Sequence, residues 1–193
     1  MPQQKTIIEK IQKTVKQKTK NYGCHGWDHV ERVYNLCIFI GRQEKADIEI
    51  LKIASLLHDI KRDGEKGDHA LESSVEAEKL LRKLHFPQNK IMKVTDAIKA
   101  HRFRGKIKPL TLEAKILSDA DKLDAMGAVG IYRASSFGAE SKRSLQQTIT
   151  HFHEKLLKLR RLMYTPTGKN LANKRNRFML AYLKQLEAEA VLN

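Results

Sequence analysis

At 193 residues, with 41% hydrophobic side chains, the chain has enough apolar surface for one ordinary core and needs no disulfide or zinc staple. Its two cysteines, Cys24 and Cys37, form no close pair and no zinc-knuckle spacing, so they fit a reducing cytosol. Thirty-seven Lys and Arg against twenty-two Asp and Glu leave +15, a field that draws phosphate-bearing molecules and keeps nucleic acid open as a partner, although lysines spread over every segment also serve plain solubility.

The opening MPQQKTIIEKIQKTVKQKTK has lysines throughout and no continuous apolar stretch. It reads as neither a secretory signal nor a membrane span, and the expected location is the cytoplasm. Apolar residues recur at helical spacing, no alternating strand pattern lasts, and Pro2, Pro87, Pro109 and Pro166 fall at segment edges, so the class is all-α. A first helix runs through Ile7, Ile8 and Ile11. The turn-like Tyr22-Gly23-Cys24-His25-Gly26 precedes a second, starting near Trp27 or Asp28 and ending by Gly41, with His29 in its first turn. Asp47 caps a third helix reading Ile48, Ile50, Leu51, Ile53, Ala54, Leu56 and Leu57, apolar nearly all round and hence central. It ends on His58 and Asp59.

A polar loop from Lys61 to Gly67 leads to a fourth helix through Ala70, Val75, Ala77, Leu81 and Leu84, closed by Pro87. The fifth carries Ile91, Val94, Ile98 and His101 on one stripe, and the sixth, after Pro109 and Thr111, carries Ala114, Leu117, Asp121, Asp124 and Ala128. Residues 134–143 read as a loop, after which Leu145, Ile149, Phe152, Leu156, Leu159 and Met163 define one long amphipathic helix. A last helix covers roughly residues 169–190. With no internal repeat and no long linker, the expectation is a single domain over 1–193, a helical bundle of about seven or more helices. Its core falls at about 22–130 and a helical C-terminal extension at about 144–190.

Ionised carboxylates on apolar helical stripes cost several kcal/mol unless paired or bound to metal. His58 and Asp59, adjacent at the end of the most apolar helix, can both reach one ion lying off that end. Imidazole with carboxylate suits Mn, Fe, Zn, Co or Ni better than calcium, and magnesium stays open with waters completing its shell. On the sixth helix Asp119 and Asp121 differ by roughly 200°, whereas Asp121 and Asp124 lie within roughly 60°. The stripe therefore selects Asp121 and Asp124, with Asp124 suited to hold a ligand histidine or to cap a neighbouring element and Asp119 expected to meet solvent or a basic residue.

The order His29, then His58-Asp59, then Asp121, with the strings HGWDHVERV, LLHDIKRD, AIKAHR and DADKLDAMGAVGIYR, resembles the HD-domain superfamily of metal-dependent phosphohydrolases, in a bacterial single-domain branch. The tail HFHEKLLKLRRLMYTPTGK is similar to that branch too, so the resemblance runs from about 22 to 185. It implies a divalent ion, manganese first, on His29, His58, Asp59 and Asp121, with water and substrate phosphate completing the shell. In HD enzymes histidines placed like His69 and His101 contact phosphate, relay protons or bind a second metal; phosphate contact and proton transfer are favoured here.

Asp63 resembles the acidic member of a second motif in alarmone-hydrolysing HD enzymes, placed to orient or deprotonate water. Those carry Glu-Asp where this chain has Arg62-Asp63, which puts alarmone hydrolysis in doubt. Arg62, Lys122, Arg133, Lys155 and Lys158 are the cations expected nearest a polyphosphate. His25, His85, His151 and His153 are expected to have no catalytic role. There is no Gly-Tyr-Pro motif of cyclic-di-nucleotide phosphodiesterases, and Gly127 and Gly130 lack the strand and Gly-Lys-Ser/Thr of a phosphate loop. The expected reaction is hydrolysis of a phosphoanhydride or phosphomonoester of a soluble nucleotide by a monomer or homodimer; the alternative is a nucleotide or nucleic-acid binding HD module with little turnover.

Overall fold

The computed structural model describes residues 6–19, 25–61, 68–102 and 107–190. Among these the chain is all-α: α1 Ile7–Lys18, α2 Trp27–Glu44, α3 Ile48–Leu57, α4 His69–Lys83, α5 Gln88–Ala100, α6 Leu112–Asp124, α7 Gly127–Glu140, α8 Leu145–Glu154, a 3-10 segment Leu156–Leu162, and α9 Pro166–Ala190. None of these helices is long and apolar enough to cross a membrane.

Helix starts follow local capping chemistry. Thr6 and Glu9 close a capping box on α1, Ser144 and Gln147 close another on α8, and the Asp47 carboxylate accepts the Glu49 and Ile50 amides at α3. Lys45 ends α2 in the left-handed conformation, one turn beyond the sequence expectation of Gly41. α3 is the axis of the bundle, with Ile50, Leu51, Ile53, Ala54, Leu56 and Leu57 all buried, and α1, α2, α4, α5 and α6 all pack against it. Its C-terminal end therefore lies inside the molecule, delivering His58 and Asp59 among the surrounding helices.

Three expectations about the second half are corrected. Residues 134–140 are not loop but the end of α7; their small side chains allow close packing, and both Ala134 and Gly138 are buried. The long helix through Met163 breaks at Lys155 into α8 and the 3-10 segment, on which Leu156 and Leu159, three residues apart, are both buried. Asp119 does not meet solvent. It is fully buried and accepts the Tyr164 amide at 2.9 Å and the Thr165 amide and hydroxyl at 2.8 Å each. Burial pushes its carboxyl up while those three donors pull it down. A Cβ at Gly168 would collide with the same carboxylate, so the start of α9 is seated on α6 through Asp119.

Candidate metal centre

His29 enters from the first turn of α2, His58 and Asp59 from the end of α3, and Asp121 from α6. His29 and His58 are fully buried, Asp59 is 8% exposed, and the Asp121 side chain keeps 23% of its surface open. The His29 Nε2 lies 3.2 Å from His58 Nε2, 3.6 Å from Asp121 Oδ1 and 3.7 Å from Asp59 Oδ2, and His58 Nε2 lies 3.8 Å from Asp59 Oδ2. The four residues predicted as ligands thus lie together, with His29 within 3.2–3.7 Å of each of the other three.

Hydrogen bonds on the far side of each ring explain the convergence. His58 Nδ1 lies 2.7 Å from the Ser55 carbonyl, which can only accept, so that nitrogen carries the proton and Nε2 is left with a lone pair. His29 Nδ1 lies 2.7 Å from Asp124 Oδ2, which fixes the same tautomer. The two Nε2 atoms face each other at 3.2 Å with two carboxylates beside them, an arrangement that a proton or a divalent cation between them would satisfy. Metal–donor bonds of roughly 2.0–2.2 Å set neighbouring ligands roughly 3–3.5 Å apart, so the donor set and its spacing fit a divalent ion.

Electrostatics favour the same ligation. Burial pushes His58 down to about 4 against the pull of Asp59, so its ring stays neutral at physiological pH. Burial works to raise Asp121, yet the facing His101, His29 and His58 hold it below its ordinary value. Asp124 is buried too, but hydrogen bonds from His29 and Arg32 keep its carboxyl far below the usual carboxylate range. Arg32 Nε donates to Asp124 Oδ1 at 2.6 Å and Arg133 Nη1 to Oδ2 at 2.8 Å. Asp124 therefore holds His29 from behind, one of the two roles its stripe suggested, and is itself held by two guanidinium groups.

A second group of donors surrounds the other oxygen of Asp59. His69 Nε2 and His101 Nε2 lie 3.8 and 3.7 Å from Oδ1, and His101 Nδ1 donates to the Ile98 carbonyl at 2.6 Å. Burial works against a charged His101, but Asp59 and Asp121 outweigh it and raise its pKa. His25, expected to be a bystander, stands in the cluster instead. Its Nδ1 is 3.6 Å from Asp59 Oδ2 and 3.5 Å from Arg133 Nη2, and its ring meets His29 edge-on. Three sets of donors are close enough to hold an ion: His25, His29 and Asp59; His29, His58 and Asp121; and Asp59, His69 and His101.

The expected substrate cations scatter. Arg133 is at the centre but engaged with Asp124. Lys122 is 5% exposed; its amine donates to the Ser118 carbonyl and hydroxyl and lies 5.5 Å from the Tyr164 ring. Lys155 is half-buried at the end of α8, and Lys158 is exposed on the 3-10 segment. Arg62 and Asp63 lie outside the described residues.

An all-α bundle whose central helix ends in His-Asp, joined by a histidine from α2 and an aspartate from α6, defines a family. The HD domain model matches residues 26–126, and the chain belongs to the HD domain family. YpgQ of Bacillus subtilis (strain 168) is 39% identical over 173 residues, covering 86% of this chain and 84% of that protein. The crystal structure of Bacillus subtilis YpgQ in complex with ADP aligns with a TM-score of 0.81 at 34% identity, covering 96% of this chain and 98% of that one. An HD-superfamily hydrolase from Bacillus thuringiensis aligns with a TM-score of 0.74 at 29% identity over 97% of this chain and 100% of that one.

Proposed function

We propose that the chain is a metal-dependent phosphohydrolase that cleaves a phosphoanhydride or phosphomonoester bond of a cytoplasmic nucleotide. The observation that carries this reading is the approach of the His29 and His58 Nε2 atoms to 3.2 Å, flanked by Asp59 and Asp121. These four would hold the ion; imidazole mixed with carboxylate suits Mn, Fe, Co, Ni or Zn, with Mg open, and the family resemblance puts manganese first. A divalent cation there supplies Lewis-acid chemistry, making water a nucleophile at neutral pH and offsetting charge on the phosphoryl oxygens. The crystal structure of YpgQ in complex with ADP supports a nucleotide as the substrate class.

The chain's own groups divide the remaining work. Asp121, with its partly open side chain, faces the side from which substrate arrives. His101, held by Ile98 and raised by Asp59 and Asp121, is the group suited to donate to a phosphoryl oxygen or leaving group, with His69 beside it. Asp124 fixes the His29 ring and sets its tautomer. Asp63 and Arg62 are assigned to water orientation and phosphate contact, with Lys122, Arg133, Lys155 and Lys158 as the further cations for a polyphosphate.

Phosphate and pyrophosphate release is the test, run on nucleoside mono-, di- and triphosphates and on p-nitrophenyl phosphate with Mn, Mg, Co, Ni or Zn. Turnover is expected only with added metal and is expected to vanish in Asp121→Ala. Full activity in EDTA, or an unchanged Asp121→Ala, would refute the assignment.

Asp124→Asn probes the group behind the ligands. The amide keeps the shape but loses the charge that locks His29 Nδ1–H and two arginines, and an altered orienting partner of this kind lowers metal affinity about 10–100-fold. Calorimetric titration with Mn is expected to read that loss; unchanged affinity would mean His29 is oriented without Asp124.

A further inference from the structure

One stretch near the end of the sequence carries charge of a single sign. Between Lys155 and Leu186 stand nine Lys and Arg and no Asp or Glu, a concentration that a single nucleotide site does not require. At about 100° per residue Asn170, Lys174, Arg177, Ala181 and Lys184 share one arc of α9, and all five are exposed. Arg160 of the 3-10 segment lies alongside that arc, its guanidinium donating to Asn173 at 3.4 Å.

On its other flank the arc borders α2 across an open groove of about 450 Å³, lined by Phe39, Gln43, Asn170, Leu171 and Lys174 among others. The Phe39 and Phe178 rings are 51% and 54% exposed, and Phe178 stands one turn beyond Lys174 on the same side of α9. The nearby acids are already engaged: Glu44 accepts the Thr167 amide at 2.8 Å, and Glu187 pairs with His153 at 2.8 Å. Phe39 follows His29 by ten residues of the same helix, roughly 15 Å at 1.5 Å per residue, so this groove is separate from the metal centre.

We propose that this face of α9, with its groove against α2, binds single-stranded nucleic acid. Phosphates run along Lys174, Arg177 and Lys184, with Arg160 at the side, and unpaired bases stack on Phe39 and Phe178. The charge selects a polyanion, and the exposed rings select one whose bases are free to stack, since a duplex hides its base faces. The inference does not depend on the phosphohydrolase reading, because the residues are different and the ligand is a polymer.

Fluorescence anisotropy of a labelled 20-nucleotide oligo-dT with the full chain in EDTA tests it. Lys174→Glu with Arg177→Glu is expected to weaken binding at least tenfold. It should also make the slope of log K against log salt shallower by about 1.4, or about 0.7 for each lost phosphate contact on a single strand. Lys83→Glu with Lys93→Glu makes the same change in net charge on exposed positions of α4 and α5, and is expected to stay within about twofold. Phe39→Ala is expected to lose about fivefold or more through stacking. All variants should keep the parent's circular dichroism and nucleotide turnover. No binding, equal losses in the two charge pairs, an unaffected Phe39→Ala, equal affinity for duplex, or capture by phosphatidylglycerol vesicles in place of the oligonucleotide would each overturn the proposal.

Discussion

Asp59→Ala is expected to lower metal-dependent kcat/KM by at least roughly 10³-fold, about 4 kcal/mol of transition-state stabilisation, while leaving the helical circular dichroism intact. No other carboxylate in the centre is shared so widely. Its Oδ2 lies 3.6–3.8 Å from His25, His29 and His58, and its Oδ1 lies 3.7–3.8 Å from His101 and His69. Alanine removes the negative charge around which five imidazoles are arranged, and so weakens ion binding and histidine placement together. The fold survives because α3 is held by the apolar residues between Ile50 and Leu57, upstream of the site. Parallel Mn calorimetry separates the two effects. Turnover within tenfold of the parent at saturating Mn would mean that Asp59 is not a ligand.

Asp119→Ala is expected to have the largest effect on stability, about 3 kcal/mol by urea denaturation, or roughly 6–12 °C in Tm for a chain of this size. The substitution leaves the Tyr164 amide, the Thr165 amide and the Thr165 hydroxyl facing an apolar void, and each buried donor left without an acceptor costs about 1–3 kcal/mol. Water recovers part of that. Asp119→Asn retains one acceptor oxygen and should restore about half the loss. A midpoint unchanged in both variants would show that the tail docks without this contact.

The difference between Asp119 and Asp121 marks how far the sequence could be read. Asp121 was legible because its partners, His29, His58 and Asp59, are themselves unusual residues on apolar stripes, and helical geometry alone excluded Asp119 from their side. What occupies Asp119 instead was not legible: its donors are backbone amides 45 and 46 residues away, and an amide has no sequence identity. The place of His25 beside His29 was not legible from their four-residue spacing, because Gly26 caps α2 between them and leaves His25 outside the helix.

Composition misled at Ala134-Ser135-Ser136-Phe137-Gly138, where serines and a glycine lie in a helix that buries Ala134 and Gly138, tertiary context overriding local propensity. The 3-10 segment was not legible, because the three-residue spacing of Leu156 and Leu159 equally satisfies an α-helical stripe when read inside a longer window. The axis helix α3 was plain for the opposite reason: a segment apolar all round has only one place to go.

The seating of α9 on Asp119 bears on where this protein could be cut. The segment shared with the family ends at residue 126, yet a fragment ending there would keep Asp119 two positions from Asp121 on the same helix and delete the Tyr164-Thr165 turn that solvates it. A piece expected to keep the Asp119 contacts therefore extends at least through the first turns of α9, beyond the segment that the family shares.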